Sequence, residues 1–151
     1  MKKIIKIFLV LLCMTIIFVL SNDTAYESSN KSNSIIVDIS EMILNRKLTT
    51  KEKELYTSKF DFWIRKAAHL IIYIILGILV ISLLKEYMII NKKSIIFSII
   101  IVMLYSISDE IHQSFVPGRS CELRDIIIDS SGGIIGTYLY YFINRIKVKK
   151  V

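Results

Sequence analysis

Lys66, His69, Asp109, Glu110, His112, Gln113, Arg119, Arg124, Asp125 and Asp129 are the side chains of this chain whose types and spacing suit chemistry. Asp109, Glu110, His112 and His69 are the acid–base candidates, because carboxylates and imidazoles in a shared low-dielectric site have their pKa values pushed apart. Lys66, Arg119 and Arg124 suit the binding of a phosphate or carboxylate. His69 and His112 with Asp109 or Glu110 have metal-ligand chemistry, but neither an HExxH pattern nor a cysteine pair is present. No metal and no cofactor is expected. A nucleophile elbow, a phosphate-cradling glycine loop and a dinucleotide fingerprint are all missing. The residues therefore leave catalysis and binding both open.

Helical spacing groups these residues. Lys66, His69 and Tyr73 fall at i, i+3 and i+7, on one face, and Tyr105, Asp109 and His112 share a face at i, i+4 and i+7. Asp125, Asp129, Gly132, Gly136 and Tyr140 line one stripe of a further helix. Gly132 and Gly136 have the small-xxx-small spacing that lets membrane helices approach closely. Asp129 is thus expected to face protein rather than lipid. A lone interfacial Lys or His is an ordinary snorkelling anchor, and Asp125 at a helix N-terminus would complement the helix dipole. Clustering at three helix ends favours a site over separate anchors.

The elements that must position them are apolar blocks. Of the 151 residues, 54% are hydrophobic and 22% charged. Four blocks, at about 4–20, 67–84, 94–111 and 126–143, each reach the roughly 17–20 residues a helix needs to cross the hydrocarbon core. In lipid a helix satisfies its own backbone hydrogen bonds. The predicted fold class is all-α: an integral membrane four-helix bundle in one domain. The first block is expected to stay as an anchor, since no small-x-small cleavage site follows it. Cys13 and Cys121 are expected to be free.

Net charge is +7, without the aromatic-interleaved basic stripe of a nucleic-acid binder, so no nucleic-acid partner is expected. The charge is distributed unevenly. Lys2, Lys3, Lys6, Lys85, Lys92, Lys93, Arg145, Lys147, Lys149 and Lys150, with Glu86 as the one acidic residue, all fall on one side if four helices span. The positive-inside rule then puts both termini in the cytoplasm of a multi-pass protein of the cell membrane. The loop 21–66 becomes extracytoplasmic, and the polar residues gather at that surface. Within the loop, Ser21–Ser34 reads as flexible. Ile35, Ile36, Ile39, Met42 and Ile43 predict a short amphipathic helix. Thr49 and Glu52 form a capping-box pattern opening a second short helix. Phe60, Phe62 and Trp63 stand where an interfacial aromatic belt belongs.

Lys66-Ala-Ala-His69, the run Asp109-Glu-Ile-His-Gln113-Ser-Phe-Val-Pro-Gly-Arg119, and Asp125 followed by Asp129, Gly132 and Gly136 resemble the VanZ-like family. The first span, with Ser21 and the Ser-rich segment after it, is similar to the family's N-terminal part. The resemblance covers nearly the whole chain. One departure is Asp129, where members often carry Asn. The resemblance implies an accessory membrane protein of the cell envelope associated with resistance to teicoplanin rather than vancomycin, and it carries no catalytic role. The expected partners are the lipid bilayer and a lipid-linked wall precursor or teicoplanin itself. From other classes come a membrane enzyme acting on a lipid-linked envelope substrate, a small transporter, and a structural partner of another membrane protein. No oligomeric state is set.

Overall fold

The computed structural model describes residues 2–149, with side chains through residue 146. Of the basic C-terminal group, Lys150 and the side chains of Lys147 and Lys149 lie outside the described residues. The described chain folds into α1 (Lys2–Ser21), α2 (Ala25–Leu44), α3 (Thr50–Leu84), α4 (Lys92–Gln113) and α5 (Leu123–Lys149). Four of these, all but α2, are long and apolar enough to cross a membrane. They coincide with the four apolar blocks, and the protein is a multi-pass membrane protein.

The helices start where short polar side chains cap them. Thr24 with Glu27, Thr49 with Glu52, and Asn91 with Ser94 each form a reciprocal capping box, so two orphan donors at each start are satisfied. Helix α2 ends on Asn45 in the left-handed conformation (φ 50°), which returns its N–H to the Glu41 carbonyl.

Two expectations for the first loop change. Residues 25–34 are helical rather than flexible, because the Thr24 box nucleates α2 ahead of its apolar stretch. The second short helix is instead the opening of α3, which runs unbroken for 35 residues. No proline or glycine occurs between Thr50 and Gly77 to stop it. At 1.5 Å per residue α3 is about 50 Å long, well beyond the roughly 30 Å of hydrocarbon. Its first half therefore stands clear of the span, and α2 folds back along it as a helical hairpin. The backbone N–H of Ala25 donates to the Pro117 carbonyl (3.4 Å), which docks the start of α2 on the α4–α5 loop.

The Thr24 box carries a prediction. Backbone and side-chain hydrogen bonds from Thr24 hold the exposed Glu27 carboxyl below its ordinary range. A depressed carboxylate stabilises above its unfolded pKa, and that contribution fades as pH falls through the folded value. Thr24→Ala is expected to weaken the first turn of α2 by about 1 kcal/mol. Amide hydrogen exchange at residues 25–28 should accelerate in the variant at neutral pH, and in the wild type on acidification. Unchanged exchange would refute the capping role.

Helix α3 is the hub and packs on each of the other four, most extensively on α5. The core is built at helical spacing from Val10, Cys13 and Ile17 of α1, Tyr73, Leu76 and Val80 of α3, and Val102 of α4. Helix α4 turns a fully buried serine stripe, Ser94, Ser98 and Ser106, inward. Ser98 Oγ and Thr137 Oγ1 of α5 share a hydrogen bond of 2.9 Å. Ile4, Phe8, Leu11 and Phe18 of α1 lie exposed on its outer face, as lipid contact requires. Lys6, the one charge in the first block, pairs with Glu86 at 2.6 Å and donates to the Ser82 carbonyl at 2.9 Å. Both cysteines are free, Cys13 buried and Cys121 exposed.

Candidate functional site

At the end of the bundle where α1 and α4 finish and α5 begins, the polar residues converge. Helix α4 delivers Asp109, Glu110 and Gln113, all at most 4% exposed. Asp109 Oδ2 accepts from Ser21 Oγ (2.9 Å), Gln113 Nε2 (3.0 Å) and the Tyr73 hydroxyl (3.3 Å). Gln113 Oε1 in turn accepts from Arg119 Nη1 at 2.8 Å. A continuous chain thus links the loop arginine to a buried carboxylate, through an amide that orients both. Glu110 Oε1 accepts the Glu122 backbone N–H (2.9 Å), which pins the α4–α5 loop from below.

Helix α5 contributes Asp125 and Asp129. Lys66 of α3 forms an ion pair with Asp125, and both cations, Lys66 and Arg124, lie over the Phe62 ring, at 5.5 and 4.7 Å. Phe62 therefore belongs to the site, while Phe60 and Trp63 of the expected aromatic belt remain exposed. His69 Nδ1 lies 3.6 Å from Asp129 Oδ1. Arg124 pairs outward with Glu122 at 2.5 Å and is mostly exposed. His112 lies apart: its ring stacks on Phe18 of α1 at 4.3 Å between centroids. It lines neither of the two cavities at this end. Its partner on the same face, Tyr105, also turns to α1 and donates to the Met14 carbonyl at 2.5 Å.

Those two cavities adjoin. One, of about 220 Å³, is walled by α1, α2 and α3 and is largely apolar, with Ile17, Leu20, Ile35, Ile64, Ala68 and Ile72 in its lining. The other, of about 130 Å³, is polar and reaches Lys66, Gln113, Arg124 and Asp125. Arg65, His69, Arg119 and Ser28 line both. The Nε atoms of Arg65 and Arg119 are buried and have no hydrogen-bond partner. Burial acts against the charge on Arg119, and the neighbouring Arg65 guanidinium adds to that, while Asp23, Asp109 and Glu110 oppose it. Two guanidinium groups facing one cavity with unsatisfied N–H donors make an arrangement suited to an anion.

The chain carries further site residues besides those singled out in the sequence. Arg65, one place before Lys66, is four residues from His69 and so shares its helix face; the i, i+4 spacing carried that signal. Ser21 and Lys31 had none, since only the fold of α2 over α3 brings Lys31 to the cavity and the end of α1 brings Ser21 to Asp109. The groups able to hold a metal are His69, Asp109 and Asp129, one from each of three helices, with a ligand atom of each within 4.8 Å of the others.

The family model for VanZ/LLP1 matches residues 6–144, a stretch that takes in all four candidate spans and every side chain described at this end. The chain belongs to the VanZ/LLP1 family. The resemblance carried by the Lys66–His69, Asp109–Arg119 and Asp125–Gly136 segments is confirmed. Searches of curated proteins and of solved structures give no match. For this VanZ/LLP1 member, the family's sequence pattern and the polar end of the bundle coincide: the segments that carry the resemblance are the ones that meet around Arg119, His69 and Asp129.

Proposed function

We propose that this VanZ/LLP1 protein is an envelope protein of the cell membrane that lowers susceptibility to teicoplanin by binding an anionic, lipid-tailed amphiphile at the outer membrane surface. In this reading both termini are cytoplasmic and the polar end faces outward. The charge asymmetry supports that orientation, with the basic residues of the N-terminus and of the α3–α4 connection at the other end. The observation that carries the reading is the pairing of Arg65 and Arg119, with unpartnered buried Nε groups, beside an apolar cavity. An anionic head would satisfy the guanidinium donors, and an acyl or prenyl chain would enter between Ile17, Ile35, Ile64 and Ile72. Lys66, Gln113, Arg124 and Asp125 would line the head's outer side, with Asp109 and Glu110 holding the frame. Both teicoplanin and a lipid-linked wall precursor have this head-and-tail chemistry.

The test is drug susceptibility in a sensitive Gram-positive host that carries empty vector, wild type, Arg65→Gln or Arg119→Gln at matched membrane levels. Wild type is expected to raise the teicoplanin inhibitory concentration several-fold and leave that of vancomycin unchanged. Each arginine variant should return to the vector value. Wild type at normal level that shifts neither drug would overturn the reading. Binding of purified protein to teicoplanin, compared with vesicles containing a lipid-linked wall precursor, distinguishes the two sources of ligand.

A membrane enzyme acting on the same lipid-linked substrate is the second reading. It is favoured by one observation: His69, Asp109 and Asp129 meet at the wall of the cavities, where acid–base groups would be needed. A mass change in envelope lipids incubated with purified protein would select it.

A further inference from the structure

Three carboxylate oxygens at the centre of the bundle's polar end have no partner. Asp129 is 1% exposed, and neither of its side-chain oxygens makes a hydrogen bond; Asp109 is 3% exposed, and its Oδ1 makes none. Leaving one such acceptor unsatisfied costs roughly 1–3 kcal/mol, and more when it is charged. The two groups come from different helices and still converge, together with His69 of a third. The other oxygen of Asp109 is different. Ser21, Tyr73 and Gln113 all donate to Oδ2. That arrangement fixes the carboxylate and leaves Oδ1 presented, as outer hydrogen bonds do for a metal ligand.

We propose that His69, Asp109 and Asp129 form a binding site for one divalent first-row transition metal ion. One imidazole nitrogen and two carboxylates match zinc or manganese better than magnesium, which prefers an all-oxygen set and keeps its waters. The charge balance also fits. A neutral imidazole, two carboxylates and a dication sum to zero, so a dry site no longer holds uncompensated negative charge. Three protein ligands leave coordination positions for water or substrate. Because His69 lines both cavities, those positions open toward the space bounded by Arg65 and Arg119. The ion would also tie α3, α4 and α5 together at the end where Gly132 brings α5 against the backbone of α3. No sequence spacing reveals such a site, because each ligand comes from a different helix.

The full chain, purified in detergent and stripped with chelator, would be titrated with Zn²⁺ and separately with Mn²⁺. Bound metal is measured after desalting and thermal unfolding is followed in parallel. The wild type is expected to retain one ion per chain and to unfold at a higher temperature with metal than without. Asp129→Asn and His69→Gln are each expected to lose at least about tenfold in affinity, the lower end of what even an outer-shell change costs. His112→Gln, which alters the chain's other histidine, should bind like the wild type. The X-ray absorption spectrum of the zinc-loaded wild type should show nitrogen and oxygen ligation without sulfur, a readout that holds whether or not the variants fold. A folded wild type that takes up no metal would overturn the proposal. So would full affinity in a folded Asp129→Asn or His69→Gln, or sulfur ligation from Cys13 or Cys121. Metal binding is read without any drug, so its outcome is independent of the resistance assay.

Discussion

Replacing Gly136 by leucine is expected to force α5 off α3 and abolish the folded bundle, and even Gly136→Ala should be severely destabilising. A Cβ at position 136 would lie 2.0 Å from the Ile74 carbonyl oxygen and 2.8 Å from its carbon. One turn earlier, a Cβ at Gly132 would lie 2.6 Å from the Leu70 carbonyl oxygen, and across the same seam a Cβ at Gly77 would lie 2.4 Å from the Gly133 carbonyl oxygen. The obstacle in each case is backbone, which has no rotamer to change. An extra methyl in a tight core costs typically about 1–3 kcal/mol when side chains give way; here the helices themselves must separate, so about 3 kcal/mol is expected for alanine. Helix separation in lipid is not opposed by a hydrophobic force between the helices, so close packing carries the association. Thermal unfolding in detergent with size-exclusion analysis measures the effect. Gly118→Ala in the α4–α5 loop is the comparison: its φ of +77° makes alanine strained there, but no helix seam is touched. A Gly136→Ala protein that melts with the wild type would refute the seam.

Lys66→Met should also destabilise strongly, for an electrostatic reason. Lys66 forms an ion pair with Asp125 with only 18% and 15% of the two side chains exposed. Asp125 and Asp129 both act on Glu110, and Lys66 is the cation that offsets them there. Removing it leaves a group of carboxylates from α4 and α5 without their nearest counter-charge. Deleting one member of a buried pair costs about 3–5 kcal/mol; with the residual exposure of this pair, about 3 kcal/mol is expected. Lys66→Met combined with Asp125→Leu should recover part of the loss, since the stranded charge is then gone. Chemical denaturation of the wild type, both single variants and the double variant yields the coupling energy. Additive losses would show that the pair contributes no coupling.

His112 illustrates how a motif differs from a site. It lies inside the Asp109–Arg119 run, and its spacing puts it on the face of Tyr105 and Asp109. Both it and Tyr105 turn to α1, against Phe18 and Met14. Asp109 points instead to the junction of Ser21 and Tyr73. Helical periodicity assigns a face about a hundred degrees wide, and the neighbouring helix decides which part of that face is occupied by what.

The four spans, the inward stripe of Asp129, Gly132 and Gly136, and the gathering of the charges at one end were legible in the sequence, because hydropathy and a period of 3.6 residues are local properties. So was the VanZ/LLP1 pattern. The Thr49 capping box was legible as a helix start, but the length of α3 was set by the lack of a breaker as far as Gly77. Three things were decided only in three dimensions. Helix α2 folds along α3 and brings Lys31 to the cavity. Arg65 and Arg119 come to face one space from a helix and a loop more than fifty residues apart. His69, Asp109 and Asp129 meet from three helices. Each depends on which helices touch and at what height. That is fixed by the close seam of α3 and α5 and the serine stripe of α4, and no spacing within a single helix encodes it.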